Sequence, residues 1–195
     1  KMYPPNFISA MTLVAANEGV DSDHPSDRGG RTRYGIIVAT LKQMGQWGDL
    51  DRDGDIDADD IRLLTWEHAM EIYYRQWWQR YNYDEIESEA VSATFLDLSI
   101  VLGQYQATRC MQRACRCCGY KLVIDGILGP KTRNAINLIS MSKIGEASLL
   151  ASFRSECAGV FRMIVQKAFY TDNDSQRVFL YGWLNRAYNN YLMDD

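Results

Sequence analysis

Histidine is scarce: His24 and His68 are the only two in 195 residues. Catalysis by a Ser–His or Cys–His pair therefore has few possible arrangements, and none has supporting spacing. No stretch approaches the roughly 20 uninterrupted apolar residues that a membrane-spanning helix needs. The opening KMYPPNFISAMTLVAANEG lacks a compact apolar core followed by a small-residue cleavage site, so no signal peptide is expected. Strand signals are few and short, and there is no tandem repeat or low-complexity segment. What remains is helical periodicity, and the expected class is mainly α.

Five cysteines are present, and Cys110, Cys115, Cys117 and Cys118 fall within nine positions. That crowding is too tight for a simple disulfide framework, and no histidine stands at zinc-site spacing. With Cys157 they read as reduced thiols on helices. Charge is uneven along the chain. Residues 1–102 carry 9 Lys/Arg against 18 Asp/Glu, whereas residues 103–195 carry 12 against 7. The basic second half is either a solvated surface or suited to anionic envelope polymers; no nucleic-acid partner is expected.

PPNFISAMTLVAANEG reads as a helix entered at Pro4 and Pro5 and capped by Asn6, with Phe7, Met11, Val14 and Ala15 as its stripe. Paired glycines then break the pattern, and a small β-hairpin is expected near residues 28–37. Short helices follow in IVATLKQMG and ADDIRLL. Thr65 caps TWEHAMEIYYRQWWQRY, whose apolar face runs through Trp66, Ala69, Met70, Tyr73 and Trp77. The many aromatics of this helix, at helical spacing, suit core packing better than sugar stacking. Further helices are expected at about 86–102, 104–118, 130–140, 145–168 and 174–192. The charge balance changes near Gly103, which suggests units at 1–103 and 104–195.

The stretch GDLDRDGDIDADDI holds seven aspartates in the twelve positions from Asp49 to Asp60. Numbered from Asp49, the spacing is that of an EF-hand loop: Asp49, Asp51 and Asp53 at positions 1, 3 and 5, Gly54 at 6, Asp55 at 7 and Asp60 at 12. Gly54 permits the sharp turn, Ile56 pins the loop, and a doubly charged hard cation offsets the repulsion among the carboxylates. Calcium is the expected ion. Position 12 is Asp instead of Glu, as in dockerin-type loops. A single loop without a partner favours a structural role over sensing. Calcium-dependent docking by a non-catalytic module is the alternative.

NEGVDSDHPSDRGGRTRYGI (residues 17–36) places Glu18 at the end of the first helix. The negative end of the helix dipole and apolar neighbours both favour a protonated carboxyl there, as a general acid requires. Asp27, before the glycine turn, is expected to stay ionised. Thr32 follows and can hold a water or a sugar oxygen, and Tyr34 is a candidate sugar contact. Two carboxylates in unlike settings are the minimal set for glycoside hydrolysis. Read from spacing alone, Glu18 is equally a helix-end surface residue and DRGG a turn.

These residues resemble the E-G-G…D-P-G-G-x-T-x-x-G-I signature of glycoside hydrolase family 108, with Val20 and Arg28 as departures. AMEIYYRQWW is similar to the family's next helix. MQRACRCCGYKLVIDGILGPKTRNAI and YGWLNRAYNNY resemble the predicted peptidoglycan-binding domain that follows it, while IDGILGPKT is also readable as a purely structural turn. The family's D-x-A-V-N-x-G reads here DLSIVLGQ, from Asp97. The resemblance implies a lysozyme-like α+β catalytic unit, a helical C-terminal half and an N-acetylmuramidase acting on bacterial peptidoglycan as a monomer. It places the catalytic glutamate at Glu18 and suggests Asp27 and Thr32 as counterparts of the Glu–Asp–Thr set of phage-type lysozymes. A phage endolysin of this kind acts on the wall from the host's cytoplasm and periplasm; a secreted bacterial enzyme is the alternative.

Overall fold

The structure is a computed structural model and describes residues 2–17, 21–22, 32–171 and 174–188. Its elements are α1 (Pro5–Asn17), β1 (Asp21–Ser22), β2 (Thr32–Arg33), α2 (Val38–Lys42), α3 (Ala58–Leu63), α4 (Trp66–Tyr73), α5 (Glu89–Leu102), α6 (Gln104–Cys117), α7 (Pro130–Ser140), α8 (Lys143–Tyr170) and α9 (Leu180–Tyr188). The protein is mainly α, and its C-terminal half is helical.

α5 is the central helix. Every residue from Val91 to Ser99 is buried, so it is apolar nearly all round instead of along one stripe. It packs against α1 on one side and against α6 and α8 on others. α1 offers Phe7, Ala10, Met11 and Val14 to the core. Ala15, expected in that stripe, is exposed, and Ala10 takes its place. Asn6 is not the cap: Pro5 is the first helical residue, and the Ile8 N–H already bonds the Pro4 carbonyl at 3.1 Å.

Thr65 does cap α4, accepting from the His68 N–H at 3.3 Å. Beyond Tyr73 the chain widens into a π-helical turn, Tyr74–Gln79. The wider turn shifts the register of the buried face. Trp78 within it is fully buried, as are Ile72 and Tyr73 just before it, while Trp66, Met70 and Trp77, expected on that face, are only half-buried. The Trp78 indole N–H donates to the Asp84 carboxylate.

Ring contacts run from Phe7 to Trp78 (5.4 Å), to Tyr83 (5.5 Å), to Phe95 (5.3 Å) and to Phe153 (5.3 Å). This chain of rings joins α1 to α8, so one hydrophobic core runs through both halves. Fully burying each such side chain contributes about 1.5–3 kcal/mol.

The hairpin differs from expectation. β1 pairs antiparallel with β2, Asp21 opposite Arg33 and Ser22 opposite Thr32, so one strand lies well before residues 28–37. Local alternation cannot reveal a partner that far upstream. After β2, Tyr34 turns with a positive φ of 53° before Arg33 bridges Ile36.

In the second half, α7 and α9 both pack on the long α8. IDGILGPKT is a structural lock. The Gln112 amide nitrogen of α6 reaches the Asp125 carboxylate at 2.8 Å and the Ile127 carbonyl at 3.2 Å. Its oxygen accepts from the Gly126 N–H at 3.0 Å. Gly126 has φ +75°, and a Cβ there would stand 2.4 Å from the Tyr105 ring.

Candidate active site and metal loop

α1 is fixed to α5 by its apolar stripe, which brings its last residue, Asn17, over the middle of α5. The Asn17 amide donates to Asp97 at 3.2 Å. Asp97 is wholly buried, and its charge is met by Arg186 of α9. The Arg186 Nη2 reaches Asp97 Oδ1 at 2.7 Å and its Nε reaches Oδ2 at 3.1 Å. Nη2 also meets the Asp97 carbonyl at 3.3 Å. Such two-pronged geometry is what a buried ion pair needs to offset its desolvation.

Glu18 and Asp27 lie outside the described residues. Thr32 stands half-buried in β2. Tyr34 is half-buried too; its ring meets Trp66 edge-on at 5.6 Å, and Arg33 lies 5.5 Å over it. The Tyr34 carbonyl accepts from the Tyr73 hydroxyl at 2.8 Å, which ties the left-handed turn to α4. Sequence reasoning did not single out Asp97 or Arg186 as a pair. The signal was an aspartate in an otherwise apolar run, FLDLSIV.

The aspartate loop leaves the short 3₁₀ turn Gly45–Gly48 and runs into α3. Gly54 takes φ +99° and Arg52 φ +64°, which folds the loop back on itself. Carboxylates accept from nearby N–H groups: Asp49 from Gly54 at 3.1 Å, Asp51 from Asp53 at 3.1 Å and Asp53 from Asp55 at 3.0 Å. Their oxygens gather in two groups, Asp49–Asp51–Asp53 and Asp55–Asp57–Asp60, each within 4.8 Å.

Asp60 is almost wholly buried. Burial alone would raise its pKa, but N–H bonds from Asp57 (2.8 Å), Leu50 (2.6 Å) and Asp51 (3.3 Å) outweigh it and hold the carboxyl below its usual range. Asp55 is pushed up, first by the charge of Asp53 and then by desolvation and by Asp57 and Asp60. One Asp49 oxygen is buried without any hydrogen-bond partner. An orphaned carboxylate oxygen among mutually repelling carboxylates suits an oxygen-seeking hard cation. Asp57, in the second group, adds a carboxylate to the five expected; it also caps α3, accepting from the Asp59 N–H at 2.6 Å.

Residues 11–103 match the Glycosyl hydrolase 108 family, and residues 106–188 match the Predicted Peptidoglycan domain. No curated protein is similar enough to count as a relative. Among solved structures, the chain resembles SagA of Brucella abortus with a TM-score of 0.64 and 23% identity, over 91% of this chain and 95% of that one. At that identity the likeness concerns the fold.

Proposed function

Because this chain belongs to the glycosyl hydrolase 108 family and carries a peptidoglycan domain, we propose that it hydrolyses the β-1,4 bond between N-acetylmuramic acid and N-acetylglucosamine. The coarser statement, a glycoside hydrolase acting on peptidoglycan, follows from the family. The finer one rests on Glu18 as general acid. The observation that carries it is the anchoring of α1: its last residue, Asn17, is bonded to a buried ion pair. A helix end held by such bonds is the rigid support that a catalytic site requires.

Glu18 protonates the leaving oxygen. A carboxyl beyond a helix C-terminus is held protonated to higher pH by the dipole. Asp27 stabilises the oxocarbenium-like charge or, with Thr32, activates a water. The distance between the two carboxyl groups sets retention or inversion at the anomeric carbon. Tyr34, two residues beyond Thr32, serves as a sugar contact in this reading. We take residues 1–103 as the catalytic unit and 104–195 as the wall-binding one.

Calcium is a brace in this reading. Asp49, Asp51, Asp53, Asp55 and Asp60 would hold it, with Asp57 beside them, and the ion would supply two positive charges that relieve their repulsion. Five cysteines, none in a disulfide, suit a phage lysin made in the host's cytoplasm and released to the wall. A secreted bacterial wall enzyme is the alternative. No helix among the described residues is long and apolar enough to cross a membrane.

The test is mass spectrometry of muropeptides released from purified peptidoglycan. Wild type should yield products with N-acetylmuramic acid at the reducing end, and Glu18→Gln should yield none. Full lysis by Glu18→Gln, or cleavage confined to the stem peptides, would remove the reading.

A further inference from the structure

A cleft of about 750 Å³ opens between α6 and α8, within the segment matched to the peptidoglycan domain. None of its lining residues belongs to the candidate active site or the metal loop. Arg109 and Arg113 line it from α6; Glu156, Met163, Ile164 and Lys167 line it from α8. It therefore brings three cations together with one carboxylate.

That carboxylate is already engaged. The Arg113 Nε donates to Glu156, and the Arg113 Nη2 reaches the Cys110 sulfur at 3.3 Å. Arg109 is different. Its Nε is shielded from solvent and meets no acceptor, while its guanidinium lies 5.7 Å from the Tyr105 ring centre. Arg109 also has no carboxylate partner among the described residues, which leaves its guanidinium to pair with an anion in the cleft. Lys167 adds a second cation with no carboxylate partner among the described residues. The remaining wall joins the polar Gln106 and Ser155 to an apolar strip of Val160, Met163 and Ile164, and Met163 is 67% exposed.

No aromatic ring lines the cleft, so it offers no platform for a pyranose. It fits an anion attached to an aliphatic body. In peptidoglycan the glycan backbone is neutral, and the carboxylates sit on the peptide stems beside aliphatic side chains. We infer that the α6–α8 cleft binds a carboxylate of the wall's stem peptide through Arg109 and Lys167. Met163 and Ile164 contact the neighbouring side chain. The choice of polymer rests on the peptidoglycan reading above. Under this inference the C-terminal unit recognises peptide, while the N-terminal unit cuts sugar.

The test is an NMR titration of the full chain with a synthetic stem tetrapeptide, which contains no glycosidic bond. Saturable shifts should appear at Arg109, Arg113 and Met163. Binding should weaken roughly tenfold or more when the peptide carboxylates are amidated, and likewise in Arg109→Gln, because a charge-assisted bond is lost in each case. The amidated peptide keeps the test readable if Arg109→Gln fails to fold. Equal binding of the amidated peptide, or shifts confined to other surfaces, would overturn the inference. So would binding of phosphatidylglycerol vesicles, but not peptide, in an Arg109-dependent manner. The titration needs no catalysis, so a failure of the muramidase reading is seen separately, in the muropeptide products.

Discussion

Arg186 and Asp97 stand 89 positions apart in sequence, yet they form a two-pronged ion pair with the carboxylate wholly buried. The pair fastens α9, near the end of the described chain, to the central helix. Through Asn17 it also fastens the end of α1. Arg186→Ala removes the countercharge while leaving the carboxylate buried. We expect a loss of about 3–5 kcal/mol in urea unfolding. Arg186→Lys should lose a substantial part of that, because an ammonium cannot make both bonds in the same geometry.

Removing the ion should destabilise the protein without altering which bond is cut. With free calcium at about 100 times its Kd, binding adds about 2.7 kcal/mol. In a chain of this size that corresponds to a melting temperature roughly 5–10 °C higher than with chelator. Gly54→Ala, at φ +99°, should cost about 1 kcal/mol even without calcium. Differential scanning calorimetry with and without chelator measures both. An unchanged melting temperature in chelator would dismiss the brace.

The thiols should differ in reactivity. Burial pushes Cys115 up to about 12, aided by Cys118, and burial together with Cys110 pushes Cys157 well above its ordinary value. Cys117 is exposed. Brief alkylation at pH 8 followed by peptide mapping should label Cys117 first and leave Cys115 and Cys157 unmodified. Equal labelling of all five would contradict this burial pattern.

The same shift predicts a pH dependence of stability. The folded state holds the Cys115 proton up to about 12, whereas an unfolded thiol releases it near ~8.5. Between those values the unfolded state binds fewer protons, so stability falls as pH rises. Cys115→Ala should flatten that slope in urea titrations between pH 8 and pH 10. An unchanged slope would mean that other groups set it.

Gln112→Ala should cost about 1–3 kcal/mol, because the Gly126 N–H loses its acceptor and the Asp125 carboxylate loses one donor, keeping the Ile127 N–H. Chemical denaturation gives the value. A loss of wall binding with unchanged stability would instead make IDGILGPKT a ligand contact.

Much of the local structure was legible. Thr65 before an apolar-periodic run announced the start of α4, because a hydroxyl cap depends only on residues within one turn. The aspartate spacing announced a tight loop for the same reason. The π turn after Tyr73 was not legible from the spacing; it goes with the packing of Trp78 on Phe7 and Tyr83, which lie on other elements. The hairpin was placed too late, since β2 takes its partner from residues ten or more positions upstream. At the candidate site, the sequence pointed to the end of α1 through Glu18; Asp97 stood out in an apolar run, but its pairing with Asn17 and Arg186 did not.

By itself the sequence determined the helical class and the Thr65 cap of α4, and it pointed to the acidic loop and to a glycosyl hydrolase family followed by a peptidoglycan domain. Those are matters of spacing, settled among neighbours along the chain. Only the tertiary structure decided that Asp97 meets Arg186, that Gln112 locks the Gly126 turn, and that Arg109 and Lys167 share a cleft. Each depends on helices distant in sequence packing side by side, and the desolvation that makes those charges consequential exists only once they have packed.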